Sequence, residues 1–569
     1  MEWVEPDRWV LDVRDVAGVS GCEWEFACAA VRARSGLPAR ERPAFASYVA
    51  RLSAELSDEI AAGYSSRADK AWPVGQGRIC NAGDRGVAAG ELETASLWRD
   101  VGFAVGDLRG RASLLVATKG GWRLEFPRFS SHLKRSARLR AGGVWWLACR
   151  TWGAERVCAE VVVHLATGRR VSIAGAQLAR EWELAVDRAR SILFRLDEVT
   201  WDTCASACGT CAECRAAIEA HDDLFALPGV GRNERAELRA RGITTVAEVA
   251  LQAPPGVSER TVAVAAARVE QRSLPPGPYG PVVVDRVDSQ RIARVEKPAP
   301  GDVYLDFEND SLWGWDARDH TGLIYLTGLL VRPDEADGCA RLAGVEIPRA
   351  QAPVHLDGPE AAWTRPGVTA STPGEASAAL GWRYVALWAH SRPDEAAVAR
   401  AFVDWLERRR RIFPDMHVYH YSPQEPLMLT RLARRGGLPP RRVEALTGRR
   451  GIFVDLFEAV REGVVTGQAG MSLKDLEPLF MGPLRRGDLD DGGESVVAYD
   501  RDVARAPRPR AETLARLAAY NEYDCAATLQ LHRWLLAQAG PCGEVPSPPP
   551  YEVPLSWDNR DAVSRGGTS

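Results

Sequence analysis

The sequence predicts an α/β protein of several domains, and three observations carry that reading. At 569 residues the chain is too long for one hydrophobic core, so about two to four domains are expected. Short β-rich apolar runs alternate with stretches whose apolar residues recur at helical spacing. The composition, 46% apolar and 26% charged, is that of an ordinary soluble protein. No run approaches the roughly 18 apolar residues of a membrane span. The opening MEWVEPDRWVLDVRD is acidic and mixed, unlike a signal peptide, so a cytoplasmic location is expected.

In the first 200 residues, Arg40 to Ala62 reads as an amphipathic helix. Segments 101–107, 112–118 and 121–126 read as strands, 131–148 as a helix, 157–165 as a strand and 173–196 as a long helix. The sequence CASACGTCAEC, 204–214, follows. Next comes LPGVG, 227–231, a tight turn opening a helix that Gly242 ends. Residues 273–300 hold SLPPGPYGP and read as a linker. Beyond them lie strands at 301–310, Leu323 to Val331, 383–389, 416–421 and 452–456. Helices are expected at 393–410, 424–435, 473–481 and 511–537. The Pro-rich stretch 346–378 reads as an insertion, and the tail from 541, with PSPPP, as disordered.

Net charge is −4, which argues against a basic coat wrapping duplex DNA, although local patches matter more than the sum. Arginine supplies nearly all the positive charge and suits bidentate phosphate contacts, though a GC-rich coding sequence produces the same bias.

The chemistry concentrates in GDVYLDFEND, 301–310. In a strand, Asp306 and Glu308 project from one face, and two adjacent carboxylates repel unless a cation lies between them. Hard oxygen ligands suit Mg²⁺ or Mn²⁺. Glu425, in HVYHYSPQEPLMLTRLA, falls in the first turn of the helix after a strand. Tyr520 and Asp524, in YNEYDCAATLQLHRWLL, are i and i+4 and share a helix face. Taken singly, each is more simply a surface acid or a core aromatic. The histidines His390, His417 and His420 near strand ends read as packing residues.

These pieces, in this order, resemble the DEDD 3′→5′ exonucleases of ribonuclease-H-like fold, in their tyrosine-bearing DEDDy form. The resemblance implies a C-terminal mixed sheet flanked by helices and two divalent ions about 3.5–4 Å apart. Asp306, Glu308 and Asp524 are the implied metal ligands, and Tyr520 positions the attacking water. Glu425 stands where that family usually has Asp, and Asp455 in IFVDLF is its rival for the fourth carboxylate. SLKDLEP, 472–478, reads as a capped helix start and resembles a segment of YprB-type members.

Cys204, Cys208, Cys211 and Cys214 are too dense for coincidence, and soft thiolates at this spacing suit Zn²⁺ or an iron–sulfur cluster. RecB- and AddB-type nuclease domains hold a 4Fe–4S cluster with one early cysteine. That likeness makes Cys22, or else Cys28, the early ligand. Across nearly the whole chain, the order of parts resembles the RecB-like nucleases. The implied domains are a RecB-like, restriction-endonuclease-like α/β half (1–200), a Cys cluster (201–217) and a helix-hairpin-helix domain (218–272). A linker (273–300), the exonuclease domain (301–540) and a tail (541–569) complete them.

The N-terminal half departs from that pattern. Active PD-(D/E)XK domains carry acids and a lysine where GRAS and WRLEFPR offer Ser113, Phe126 and Arg128. Glu125 is one residue out of register, so a degenerate, catalytically silent domain is expected. In the LPGVG turn, Gly229, Gly231 and Arg232 are candidate phosphate contacts. The expected function is divalent-metal-dependent 3′→5′ hydrolysis of single-stranded nucleic acid, single-stranded DNA first, in DNA repair or recombination. The alternative is a repair scaffold that binds nucleic acid without cutting it.

Overall fold

The computed structural model describes residues 1–539 except 5–7, 42, 66–72, 205, 277–282, 314–321, 333–381, 469, 482–488 and 490–491. The Pro-rich insertion at 346–378, most of the SLPPGPYGP segment and the tail from 541 lie outside the described residues. By their contacts the described residues form two compact units, one ending at Thr245 and the other beginning at Val246. This division falls inside the 218–272 stretch. No described helix is long and apolar enough to cross a membrane.

The N-terminal unit is built on an eight-stranded mixed sheet. Its strands are β1 (Glu2–Val4), β2 (Arg8–Asp12), β3 (Ile79–Asn81), β4 (Leu97–Val105), β5 (Leu108–Thr118), β6 (Gly121–Arg128), β7 (Glu160–Leu165) and β8 (Arg170–Ala174). The spatial order is β1-β2-β5-β6-β7-β8, with β4 also paired to β5 and β3 to β4. The helices Arg135–Trp152 and Gly175–Phe194 cover one face, and Ala44–Ser65 packs on β6. The strand and helix expectations for this half therefore match the structure to within a few residues. The helices Val13–Val19 and Glu23–Arg34 were not foreseen.

The two long helices approach closely because Gly142 and Gly143 present no side chain. A Cβ at Gly142 would sit 2.6 Å from the Leu178 carbonyl oxygen, and one at Gly143 would sit 2.8 Å from the Trp182 ring. Trp182 is fully buried.

In the C-terminal unit, β9 (Asp285–Val287) pairs separately with β15 (Val464–Thr466), and a five-stranded sheet is built from β10 (Val303–Asp310), β11 (Leu323–Val331), β12 (Arg383–Trp388), β13 (Val418–His420) and β14 (Phe453–Asp455). The spatial order in that sheet is β12-β11-β10-β13-β14. β11 runs antiparallel to β10 and β12, while β13 and β14 run parallel to β10. This is the mixed sheet flanked by helices that the sequence predicted.

Alternation along β10 divides its residues between two environments. Val303, Leu305 and Phe307 enter an apolar core with the helices Arg392–Ile412 and Gln424–Arg435. Tyr304, Asp306 and Glu308 share the opposite face. There Tyr304 stacks on Tyr419 and lies beside His532 of the helix Ala511–Gln538. The buried His532 accepts from the Tyr304 hydroxyl through Nδ1 at 2.8 Å and donates through Nε2 to the Glu296 carbonyl at 2.8 Å. Burial pushes its pKa down to about 4, so it serves as a neutral staple between helix and sheet.

Gly142→Ala tests the helix contact in the N-terminal unit. Alanine favours a helix by up to about 1 kcal/mol over glycine, but overpacking against a backbone oxygen costs about 1–3 kcal/mol. The expected net result is a lower denaturant midpoint with an unchanged slope, followed by tryptophan fluorescence.

Candidate metal centres

Asp306, Glu308 and Asp524 each offer a carboxylate oxygen, and these oxygens all lie within 4.8 Å of one another. Asp306 and Glu308 come from β10, and Asp524 from the C-terminal helix packed on the same sheet face. A bulge between Glu308 and Asn309 breaks the β10–β11 ladder just after the second acid, where such irregularities re-aim side chains.

Glu308 is buried at 6% exposure, while Asp306 and Asp524 are half-buried. Glu308 Oε2 accepts from the Ser495 hydroxyl at 3.0 Å and from the Tyr325 hydroxyl at 3.4 Å. Burial, reinforced by the neighbouring Asp524 charge, pushes the Glu308 pKa up to about 8, against the pull of hydrogen bonds from Ser495, Asn521 and Tyr325. An all-oxygen donor set with surplus negative charge fits a hard divalent cation.

Asp306 is held by a relay. The Tyr384 hydroxyl donates to Asn521 Oδ1 at 2.8 Å, and Asn521 Nδ2 donates to Asp306 Oδ2 at 2.7 Å. Asn521 is fully buried. It fits only because β11 has glycine opposite Asp306: a Cβ at Gly328 would lie 1.5 Å from Asn521 Oδ1. Asn521, Ser495, Tyr325 and Gly328 were all missed from the sequence. The one available hint was an amide beside Tyr520 on a helix face that turned out to be buried.

Tyr520 lies one helical turn before Asp524, half-buried on the same face. Glu425 occupies the first turn of its helix, beyond the end of β13 and hence toward the same end of the parallel strands as Asp306. Its Oε2 accepts from Ser422 at 2.9 Å and lies 3.3 Å from His420 Nδ1. It is not one of the three acids that converge. Its rival Asp455 caps the helix Leu456–Gly463, accepting from the Phe457 amide at 2.9 Å. His390 and His417 also stand outside the described ligand groups: His390 bonds the Tyr499 hydroxyl at 3.0 Å, and His417 lies 3.6 Å from Asp302.

A second group lies in the N-terminal unit. Cys22, Cys208, Cys211 and Cys214 bring their sulfurs within 4.8 Å of one another, with 3.4 Å between Cys22 and Cys214 and 3.7 Å between Cys208 and Cys214. A tetrahedral ion with bonds of about 2.3 Å sets its sulfurs about 3.8 Å apart. Backbone amides point at these sulfurs: Thr210 and Cys211 donate to Cys208, Glu25 and Cys208 to Cys22, and Cys214 to Cys211. Such donors stabilise thiolates. Burial raises the Cys208 thiol, but the hydrogen bonds from Thr210 and Cys211 outweigh it and bring the pKa down to about 6. Cys204 packs in the same apolar cluster without joining the ligand group, and neither does Cys28.

The LPGVG turn has Gly229 at φ +79°. The Gly231 amide is engaged by Glu234 at 3.1 Å, and Arg232 donates to the Gly21 carbonyl at 3.0 Å. The helix Arg232–Ala240 is tied down by Arg235, whose guanidinium grips buried Asp223 and lies over Trp201.

Residues 379–536 match the family model RNase_H_2, of the RNase_H superfamily. The match spans β12 to the C-terminal helix, including Glu425, Tyr520 and Asp524; Asp306 and Glu308 precede it. A domain of this kind supports a nuclease that hydrolyses phosphodiesters of nucleic acid with divalent metal. No curated protein and no solved structure matches the chain.

Between its ordinary value of 4.5 and about 8, Glu308 holds its proton in the folded chain and loses it in the unfolded one. The folded state then binds more protons, so stability falls as pH rises through this window. In chelator, the thermal midpoint is expected to fall over that range. Mn²⁺ is expected to reduce the fall, and Glu308→Gln to remove this component.

Proposed function

We propose that the C-terminal unit is a two-metal 3′→5′ exonuclease acting on single-stranded nucleic acid, DNA in the first instance, in repair or recombination. The convergence of Asp306, Glu308 and Asp524 carries the reading. These three would hold the ions, with Glu425 as the fourth carboxylate from the same end of the parallel strands. Bound divalent ions supply an activated water and charge stabilisation on the departing oxygen.

The chain's own residues do the rest. Asn521 fixes the Asp306 carboxylate, and Ser495 and Tyr325 fix Glu308. Tyr520 orients the water. The water gives up a proton to solvent as its oxygen bonds to phosphorus, the bond to the preceding nucleotide's 3′-oxygen breaks, and that oxygen leaves and takes a proton from solvent. A nucleoside 5′-monophosphate is released. The longer Glu425 in place of an aspartate is the observation behind a second reading, a scaffold that binds strands without cutting.

The thiolate centre of Cys22, Cys208, Cys211 and Cys214 is proposed to brace the N-terminal unit by joining its first helices to the 204–214 segment. The sulfur separations fit a single Zn²⁺, while the family resemblance favours a 4Fe–4S cluster on the same cysteines.

Two measurements test these assignments. Asp306→Asn is expected to reduce Mn²⁺-dependent release of nucleotides from a 5′-labelled strand by at least about a thousandfold, or roughly 4 kcal/mol of barrier; equal turnover removes the active-site assignment. Metal analysis of anaerobically purified protein is expected to show a centre that survives Cys204→Ser and is lost in Cys22→Ser. Iron with broad visible absorption identifies a cluster, and colourless zinc a single ion.

A further inference from the structure

The N-terminal unit contains a cavity of about 610 Å³ between the helix Ala44–Ser65, β5, β6 and the helix Arg135–Trp152. Arg14, Arg99, Arg111, Arg128, Lys134 and Arg140 line it, against the carboxylates of Asp12 and Asp100. Several of these cations are paired. Arg14 donates to Asp12 at 2.8 Å, Arg99 pairs with Asp58, and Arg111 with Asp84 at 2.8 Å.

Arg128 differs. Its guanidinium reaches one carbonyl, that of Pro127, at 3.5 Å, and its buried Nε has no partner. No carboxylate pairs with it among the described residues. The β5–β6 register pairs Leu114 with Glu125. The ladder ends at that pair, and beyond it Arg111 and Ser113 of β5 line the cavity together with Phe126 and Arg128 of β6. Like charges lining one cavity repel. Glu125, which could have balanced them, projects from the other face, where it accepts from Tyr64 and Arg123 and meets His164. Burial, with the charges of Arg140, Arg111 and Arg14 added, pushes the Arg128 pKa down to about 10.

A half-buried guanidinium facing other guanidiniums is a cost that an anion offsets, and the planar fork suits phosphate oxygens in pairs. We infer that this cleft is a binding site for phosphate groups of a nucleic-acid strand, with Arg128 at its centre. Ser113 and Phe126 put no carboxylate on β5 or β6 here, and Asp12 and Asp100, on β2 and β4, belong to neither ligand group among the described residues, so the cleft grips rather than cuts. The cavity exceeds one phosphate and has room for a nucleotide. That the phosphate belongs to a strand rests on the proposed nuclease function; the demand for an anion rests on the cleft alone.

The test measures affinity of the full-length chain for a labelled single-stranded oligonucleotide by anisotropy, in EDTA so that no cutting occurs. Arg128→Gln is expected to weaken binding at least tenfold, and Arg128→Lys to recover part of it. The slope of log affinity against log salt should drop by about 0.7 for each phosphate that the protein no longer neutralises. The thermal midpoint of Arg128→Gln is expected to hold or rise, because a repulsive cation has gone. A merely structural Arg128 gives the opposite pattern, a lower midpoint with affinity and salt slope intact, and that result overturns the inference. Pyrophosphate competing as well as the oligonucleotide at equal phosphate concentration overturns the assignment to a strand. Asp306→Asn, which reports on turnover, is expected to bind in EDTA like the wild type, so the two readings fail separately.

Discussion

A buried carboxylate beside a second carboxylate is the constraint on which the C-terminal unit turns. Glu308 is almost fully enclosed, and the charge of Asp524 adds to the cost of ionising it. Left alone, such a pair resolves itself by keeping a proton. Burial and the Asp524 charge thus favour the protonated form of Glu308, a preference that a bound cation would oppose. Ser495 and Tyr325 donate to the same oxygen of Glu308, so the side chain is held in place for either state.

Local geometry delivers this pair to one face of the sheet. Period-two alternation sends Val303, Leu305 and Phe307 into the apolar core and leaves Tyr304, Asp306 and Glu308 beneath the C-terminal helix. The helix can come close enough to orient Asp306 because Gly328 gives its space to Asn521. A methyl group on β11 and the Asn521 amide cannot occupy the same volume. The glycine and the asparagine thus form one structural unit, although almost two hundred residues separate them.

How much was legible in the sequence follows from which interactions are local. The strand bearing Asp306 and Glu308 and the helix bearing Tyr520 and Asp524 were readable, because each pair lies within one element and periodicity reports which side chains share a face. Strand and helix positions in the C-terminal unit were legible for the same reason. Asn521, Ser495 and Gly328 were not, since their roles exist only across the packed sheet and helix. Among the cysteines, spacing alone favoured all four of the 204–214 cluster. The ligand group instead takes Cys22 and leaves Cys204 packed among Trp201 and Ile218. Cys22 lies 186 residues before Cys208, and a residue-spacing argument cannot see that contact. It came from the family resemblance.

The two units carry the same electrostatic problem with opposite sign. In one, acids converge without enough cations; in the other, arginines converge without enough acids. Folding free energy is small, so neither concentration of like charge is maintained for stability. Each is a cost in the isolated chain that falls when a partner of opposite charge arrives. Divalent cations would answer the first, and under the proposed reading phosphate oxygens would answer the second. A nucleic-acid strand presents phosphates in series, so under the two proposed readings one repeating group would serve both sites.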